Sequence, residues 1–385
     1  MAIIGAGPAG LTLARLLNLS KTNIKVTVYE LDKSEHSRPD QGGSLDLHAD
    51  TGLAAIKKCG LWDAFLQHAC YAGGGEQGTY DRPEIDRKGL RRILLDSMPP
   101  GSVQWGMKLK GVNEDGTLRF DGIERVEGPF DLIVGADGAW SKVRIKVTDV
   151  KPVYSGISGY EMTIPHPAKT CPHVSAMVGK GSWFTSSDAK FLNAQRQGDG
   201  SLKIRSWFRC PEGETKEVLE RHGEQKTLEM VLGRYKGWAP EVLEFLKQGD
   251  LASLTQWTLF ELPVGTNGEG VNKAMEDAME LAKMIEKSLD VKENLTLDGA
   301  VMLLEQSLFV RSERLQRKTM VNKENVFGPG APIAIFTGLL KSVADESSSV
   351  LVKVVGTVPV LALVHGMLWT WMCIGFAVRQ FWRRA

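Results

Sequence analysis

The chain has 385 residues, 43% of them hydrophobic, enough to bury a sizeable core in one large domain or two. Lys and Arg number 47 against 46 Asp and Glu, a formal net charge of +1, so no overall field selects nucleic acid or an acidic partner. Five scattered cysteines (Cys59, Cys70, Cys171, Cys210, Cys373) without a CxxC pair argue against a disulfide framework and a zinc site and for a reducing compartment.

Residues 2–30 read as a short strand, a glycine turn, an amphipathic helix (LTLARLLNLS) and a second strand (IKVTVYE), the opening of a parallel α/β unit. No basic and apolar leader precedes the first strand, so no signal peptide is expected. Polar turns and one helix (TGLAAIKKCGLWDAFLQHA) follow from Ser44, then a Gly-rich loop, AGGGEQG. In DRKGLRRILLDSM, Leu90, Ile93, Leu94 and Met98 fall near helical spacing, which predicts an amphipathic helix from about Arg87. DGTLRFDG reads as a hairpin arm and GPFDLIVGADGAW as a buried strand ending in a turn.

Past Asp149 the composition shifts to short alternating runs (KPVYSGISGYEMTIP, SAMVGKGSWFTS, KFLNAQRQGDGSLKIRSWFRCP), the pattern of an antiparallel sheet in a second domain. Helical patterns return at EQKTLEMVLGRYKGW and PEVLEFLKQG. They are followed by a strand, LTQWTLFELPVG, and by helices in GEGVNKAMEDAMELA and LDGAVMLLEQSLFVRSERLQRKTMVNKEN.

Residues 354–378 (VVGTVPVLALVHGMLWTWMCIGFAV) carry no formal charge over 25 residues. As a helix they would reach roughly 37 Å against a hydrocarbon core of about 30 Å, and Trp369, Trp371 and Trp382 suit an interface. Pro359, three glycines and His365 interrupt a straight span, so a buried core helix and a segment lying in the interface stand as alternatives. The expectation is a membrane-associated protein held by this single hydrophobic C-terminal helix, with the rest of the chain cytosolic.

GAGPAG places Gly5, Gly7 and Gly10 in the GxGxxG pattern between a strand and a helix. The first glycine makes the tight turn, the second lets a pyrophosphate approach the backbone, and the third lets helix pack on strand, with the phosphate charge at the helix N-terminus. Glu30 ends the second strand twenty residues beyond Gly10, where a carboxylate accepts hydrogen bonds from a ribose. Together they predict a bound dinucleotide with an unphosphorylated ribose, FAD or NAD rather than NADP. A glycine turn without a ligand and a surface glutamate are the plain structural alternative.

The segments GGSLDLH (42–48), PEIDRKGLRRILLDS (83–97) and ADGAWSKVR (136–144) resemble elements of the class A FAD-dependent monooxygenases, the para-hydroxybenzoate hydroxylase-like family, and among them the tetracycline-inactivating branch. The resemblance spans most of residues 1–330. It implies an α/β fold in which a Rossmann-like FAD-binding domain of the glutathione-reductase type, built on a parallel sheet, carries a second, antiparallel-sheet substrate domain. The implied divisions are 1–150 for the first part of the FAD-binding domain, 151–250 for the substrate domain, 251–330 for the return to the FAD domain with helices, and 331–385 for the tail.

By position, the resemblance implies that Gly5, Gly7, Gly10 and Glu30 hold the ADP half of FAD. It places Arg87 on the flavin side, where a guanidinium binds phosphate or ribityl oxygens, and it makes Asp137 and Gly138 the Asp-Gly element that serves both FAD and the pyridine nucleotide. The family carries a further strand with a Gly-Asp element after the counterpart of LTQWTLFELPVG. Here LPVG runs directly into TNGEGVNKAMEDA, so that strand is expected to be missing. Gly268, Gly270 and Asn272 then stand at the start of a helix, where backbone N–H groups and the helix dipole suit the negative edge of a reduced flavin.

The implied activity is NAD(P)H-dependent, with O2 and a C4a-hydroperoxide of the flavin delivering one oxygen atom to a hydrophobic aromatic, polyketide or terpenoid small molecule. No side-chain nucleophile is required, which agrees with the lack of GxSxG, HExxH and Walker A patterns. Met177, Trp183, Phe184 and Trp207 are candidates for the substrate lining or for core. A flavin-fold chain unable to keep its flavin and a nicotinamide-dependent dehydrogenase are the two rival readings.

Overall fold

The computed structural model describes residues 1–37, 43–70, 83–263, 270–331, 333–335 and 337–338. β1 (Ala2–Ile4) turns at Gly5 into α1 (Pro8–Leu19), with Pro8 in the first helical turn, where its missing N–H leaves no bond unmade. β2 (Thr27–Tyr29), β3 (Ser44–Asp46), α2 (Gly52–Lys58) and α3 (Trp62–His68) follow. The single helix expected across this stretch is two helices, because Gly60 takes φ +69°. Its N–H bonds to Lys57 O and that of Leu61 to Ile56 O, closing α2 with a Schellman motif.

β4 (Ala69–Cys70) and β5 (Glu84–Asp86) lead into α4 (Arg87–Asp96), which begins at the expected residue and buries Leu90, Ile93 and Leu94. β6 (Val103–Gln104), β7 (Leu109–Val112), β8 (Leu118–Phe120), β9 (Val126–Glu127) and β10 (Ile133–Gly135) complete the first part of the chain. Next come β11 (Val153–Ile164), α5 (Pro167–Thr170), α6 (Pro172–Val178), β12 (Ser182–Ser187), β13 (Lys190–Arg196) and β14 (Leu202–Arg209). SAMV, expected in a strand, forms the end of α6: Cys171, Val174 and Val178 recur at helical spacing and are buried against the neighbouring sheet. α7 (Glu214–Arg234, kinked at Gly223), α8 (Pro240–Lys247), β15 (Asp250–Glu261), α9 (Val271–Leu289) and α10 (Leu297–Phe327) close the described chain.

Among the described residues four strands make a parallel sheet in the order β10-β1-β2-β6, in which Ile3 pairs with both Val134 and Val28. β1 is wholly buried, as a central parallel strand must be, and its Ile3 meets Leu11 and Leu13 of α1 and Met275 and Met279 of α9 in one core. β10, expected to be buried, lies at the edge of this sheet among the described residues and is half-buried to exposed. Two three-stranded antiparallel sheets, β3-β5-β4 and β7-β8-β9, flank it.

The fifteenth strand belongs elsewhere: it pairs with β11 in a five-stranded antiparallel sheet, β12-β13-β14-β11-β15. One face of that sheet is core, with Leu202, Ile204 and Phe208 of β14 packed beside Val231, Tyr235 and Phe245 of α7 and the segments after it. The buried Tyr235 hydroxyl lies 3.1 Å from the carbonyl oxygens of both Phe191 and Trp207. α10 is pinned to α9 by Arg311, which bonds Glu276, Asp277 and Glu280. Burial pushes the Asp277 carboxyl up from its ordinary 3.8 to about 6, although Arg311 pulls it the other way.

The expected localisation does not stand. Among the described residues no helix is long and apolar enough to cross a membrane, since the longest, α10, carries charged residues such as Glu305, Arg311 and Arg317 along its length. Residues 354–378, the basis of the expectation of a membrane-associated hydrophobic helix, lie outside the described residues, as does the expected AGGGEQG loop.

Two outcomes follow from this packing. Tyr235→Phe leaves the two strand carbonyls without their shared donor and lowers stability by about 1–2 kcal/mol in urea unfolding, with the same m-value. The folded-state value of Asp277 lies above its ordinary one, so its contribution is complete below about pH 4 and fades as pH rises through about 6. In Asp277→Asn that slope is absent when urea midpoints are compared across the same pH range.

Candidate cofactor site at the carboxyl edge of the parallel sheet

All four strands of the parallel sheet run the same way, so their carboxyl ends open on one crevice, the place where α/β sheets take ligands. Gly5 follows β1, Glu30 follows β2, Trp105 follows β6 and Asp137 follows β10. The predicted residues Gly5, Gly7, Gly10, Glu30, Asp137 and Gly138 are therefore neighbours here.

Sterics separate the three glycines of the turn. Gly5 holds φ +108°, and a Cβ on it would lie 2.4 Å from Ala136 O. A Cβ on Gly10 would lie 2.1 Å from Gly5 O, so this glycine is what lets α1 sit against the strand. Gly7 has nothing within 4 Å of that position. The protein's own packing accounts for the first and third glycines; the second borders open space at the N-terminus of α1, where a pyrophosphate fits against the backbone.

Glu30 is buried. Its Oε2 accepts the Ala6 N–H at 2.6 Å and its Oε1 accepts the Asp32 N–H at 3.0 Å, so the carboxylate is held rigidly against the turn while retaining acceptor lone pairs for ribose hydroxyls. At the other side, Asp137 Oδ2 accepts the Lys142 N–H at 2.7 Å. Its Oδ1 is buried and has no hydrogen-bond partner among the described residues. A buried acceptor left without a partner calls for a donor, from water or from a ligand. The open cradle at Gly7 and this orphaned oxygen are the two features that fit a dinucleotide.

Sequence reasoning missed Arg91. Its Nη2 lies 3.1 Å from Asp32 and 3.9 Å from Glu30, its Nε donates to Ala6 O at 3.1 Å, and its guanidinium sits 5.6 Å from the Trp105 ring centroid. One side chain thus joins α4 to the turn, the acid pair and the end of β6. The signal was present, since Arg91 stands one helical turn after Arg87 on the same face of α4.

Arg87 lies at the far end of that helix. Its backbone N–H donates to Gly43 O at 3.0 Å, and burial followed by the neighbouring Arg205 guanidinium lowers its pKa. Asn272 is committed to the protein: its Nδ2 donates to Asp46 O at 2.8 Å and its Oδ1 accepts from His48 N at 3.0 Å and from the Thr51 hydroxyl at 3.4 Å. Gly270 caps α9 beside it, with open space where a Cβ would be. Gly268 and the residues that would reveal a Gly-Asp stretch, 264–269, lie outside the described residues.

The second sheet faces this assembly with its other side. Gln197 Oε1 accepts the Gly43 N–H, Gln195 Oε1 accepts the Ser44 N–H, and the Ser182 hydroxyl donates to Glu84. On the same side the register aligns Phe191 with Trp207 and Trp207 with Gly159, which pairs onward with Trp257. Of the four lining candidates, Phe184 and Trp207 share this side, whereas Trp183 stacks on Phe245 at 4.3 Å in the core and Met177 sits partly exposed on α6.

No family model matches the chain. Among solved structures, Klebsiella pneumoniae HpxO complexed with FAD and uric acid superposes with a TM-score of 0.68 at 19% identity, covering 92% of this chain and 95% of that one. The tetracycline destructase Tet(51) does so with a TM-score of 0.60 at 16% identity, covering 93% and 97%. The chain has the fold of the FAD-dependent monooxygenases. In sequence it is similar to monooxygenase asqM of Emericella nidulans, 36% identical over 235 residues covering 53% of each chain. The chain spans about half the length of the curated relatives it matches first.

The glycine geometry separates folding from binding. Gly10→Ala loses at least about 2 kcal/mol of stability, because its methyl meets a backbone oxygen that has nowhere to go. Gly7→Ala keeps stability within about 1 kcal/mol of the parent and loses at least about tenfold in dinucleotide affinity, read by titration with FAD and with NADH.

Proposed function

We propose that the chain is an FAD-dependent monooxygenase that uses NAD(P)H and O2 to hydroxylate or epoxidise a hydrophobic small molecule. One observation carries the reading: an open glycine cradle at Gly7, a rigidly held Glu30 and an orphaned Asp137 oxygen converge at the carboxyl edge of one parallel sheet. Gly5, Gly7 and Gly10 with the start of α1 would hold the pyrophosphate, Glu30 the adenosine ribose, and Arg91 would fix the carboxylates around it. Arg87, Asp137, Gly138 and Gly270 would serve the flavin half. FAD, when bound and reduced by a nicotinamide, supplies the electrons with which O2 donates one atom to the substrate.

The protein's share is position and exclusion of water. Phe184, Phe191, Trp207 and Trp257 lie on the side of the second sheet that also carries Gln195 and Arg205, with Phe191 packed against Phe327 of α10, and an aromatic or polyketide substrate would stack beside Trp207. The polar groups interspersed among them, Asn193 and Arg205, would orient it. Residues 1–150 and 271–330 would make the cofactor half and 151–261, β15 included, the substrate half. β15 ties the two together, because it pairs with β11 and is followed by α9. Among the structural neighbours, PqsL of Pseudomonas aeruginosa is complexed with 2-aminobenzoylacetate and a protein of Arthrobacter nicotinovorans is a 2,6-dihydroxypyridine-3-hydroxylase, which supports a small planar substrate for this chain.

The test is spectroscopic. The purified chain, incubated with FAD and desalted, is expected to keep the two near-visible flavin bands and to consume O2 when NADPH or NADH is added. A colourless product after reconstitution would overturn cofactor binding. A flavoprotein that oxidises the nicotinamide with no O2 uptake, alone or with aromatic probes, would overturn the monooxygenase reading.

A further inference from the structure

The link between β10 and β11 has a sequence that matches its own reverse. After the 3-10 turn Arg144–Lys146 the chain runs through VTDVKPV, residues 147–153, with neither helix nor strand until β11 starts at Val153. Taken about Val150, the apolar positions are symmetric and the charges antisymmetric: Val147 answers Val153, and Asp149 answers Lys151. These four share one face. Exposure alternates along the segment, with Val147, Asp149, Lys151 and Val153 exposed and Thr148, Val150 and Pro152 half-buried between them. Val147 is the extreme, 75% exposed.

The surface around the link is apolar. Ile145 in the turn and Trp140 ahead of it are exposed, and Trp140 meets Phe260 of β15 edge to face with 5.0 Å between ring centroids. Phe260 stands opposite Tyr154, the residue after Val153, and β15 is an edge strand of its sheet among the described residues. The exposed parts of Trp140, Ile145, Val147, Val153 and Phe260 amount to roughly 500 Å², the size of patch that marks an interaction site. Set against its own image, this surface buries about 1,000 Å² from two copies before any polar rim is counted, which reaches the lower bound for a specific interface.

The charges on the link are the ones left over. Lys146 is paired with Glu114 and Glu261 with Lys323, whereas neither Asp149 nor Lys151 has an ion pair among the described residues. Lys142 and Arg144, also without an ion pair there, belong to the Asp137 end: the Lys142 N–H donates to Asp137 and Arg144 Nη2 donates to Ala139 O.

We infer that the chain forms a two-fold dimer through residues 140–153, with Val150 near the axis and Asp149 of each copy paired with Lys151 of the other. A two-fold axis makes residue i meet j and j meet i, so a segment that crosses it must be symmetric in its apolar positions and antisymmetric in its charges. A different partner gives no reason for that symmetry. Across the axis valine meets valine and carboxylate meets ammonium. The inference uses no cofactor, so it stands or falls apart from the function proposed above.

The test is sedimentation of the full chain, with circular dichroism confirming that each variant is folded. The parent is expected to dimerise with a midpoint between about 1 and 100 µM, the range of a modest interface. Val147→Glu acts twice across the axis and raises the dissociation constant at least about tenfold. Asp149→Lys and Lys151→Glu each weaken the dimer about fivefold or more, because like charges then meet at both contacts. An equimolar mixture of these two single variants, one carrying a fluorescent label, forms a heterodimer within about twofold of the parent affinity, as does the double exchange in one chain. A parent that stays monomeric at every concentration overturns the inference, the result expected if other residues of the same chain cover this face. So does a dimer indifferent to all three variants, or a mixture no tighter than its components alone.

Discussion

The rest of the molecule depends on a steric constraint at one point: the backbone after β1, the first turn of α1 and the backbone after β10 occupy a space in which no side chain fits. Gly5 against Ala136 and Gly10 against Gly5 put three chain segments in contact without intervening carbon. That contact brings the ends of β1 and β10 together, lines up Glu30 from β2 beside them, and leaves the open position at Gly7 facing outward. The cradle is thus a by-product of tight packing behind it, which is why it is preformed instead of being assembled by a ligand.

Around this point the charges are arranged in two tiers along α4. Arg91 is enclosed, paired with Asp32 and lying over Trp105, and serves to hold the acid pair near the turn. Arg87, four residues earlier, is left beside another arginine. A single helix therefore carries an ion-paired guanidinium beside the glycine turn and, toward the second sheet, one without an ion pair among the described residues.

Legibility in the sequence followed how local the physics was. GAGPAG and Glu30 were readable because strand, turn and helix lie within thirty residues and Gly10 meets the Gly5 carbonyl within that same turn. α4 was readable from the spacing of Leu90, Ile93 and Leu94. The two-helix break at Gly60 and the helix at SAMV were not, because a left-handed residue and a burial pattern set by a distant sheet decided them. The exposure of β10 depends on its being the last strand in the described sheet, a property of strand order that its own residues do not carry. Arg205 and the glutamines that hold Gly43 and Ser44 were invisible for the same reason: more than 150 residues separate Gln197 and Gln195 from their partners. Asn272 was noticed for its place at a helix start, yet its amide is spent on Asp46, His48 and Thr51, contacts that only the assembled layers create.

That amide has a mechanical consequence for the chain that leads into α9. Because the first turn of the helix is moored sideways to a segment more than two hundred residues upstream, its position is set independently of whatever joins it to β15. A connector anchored at both ends by other means can lengthen or shorten at little energetic cost, since closure entropy varies only slowly with span. Variation in length just ahead of α9 would therefore leave the helix packed in register against α1 and α2.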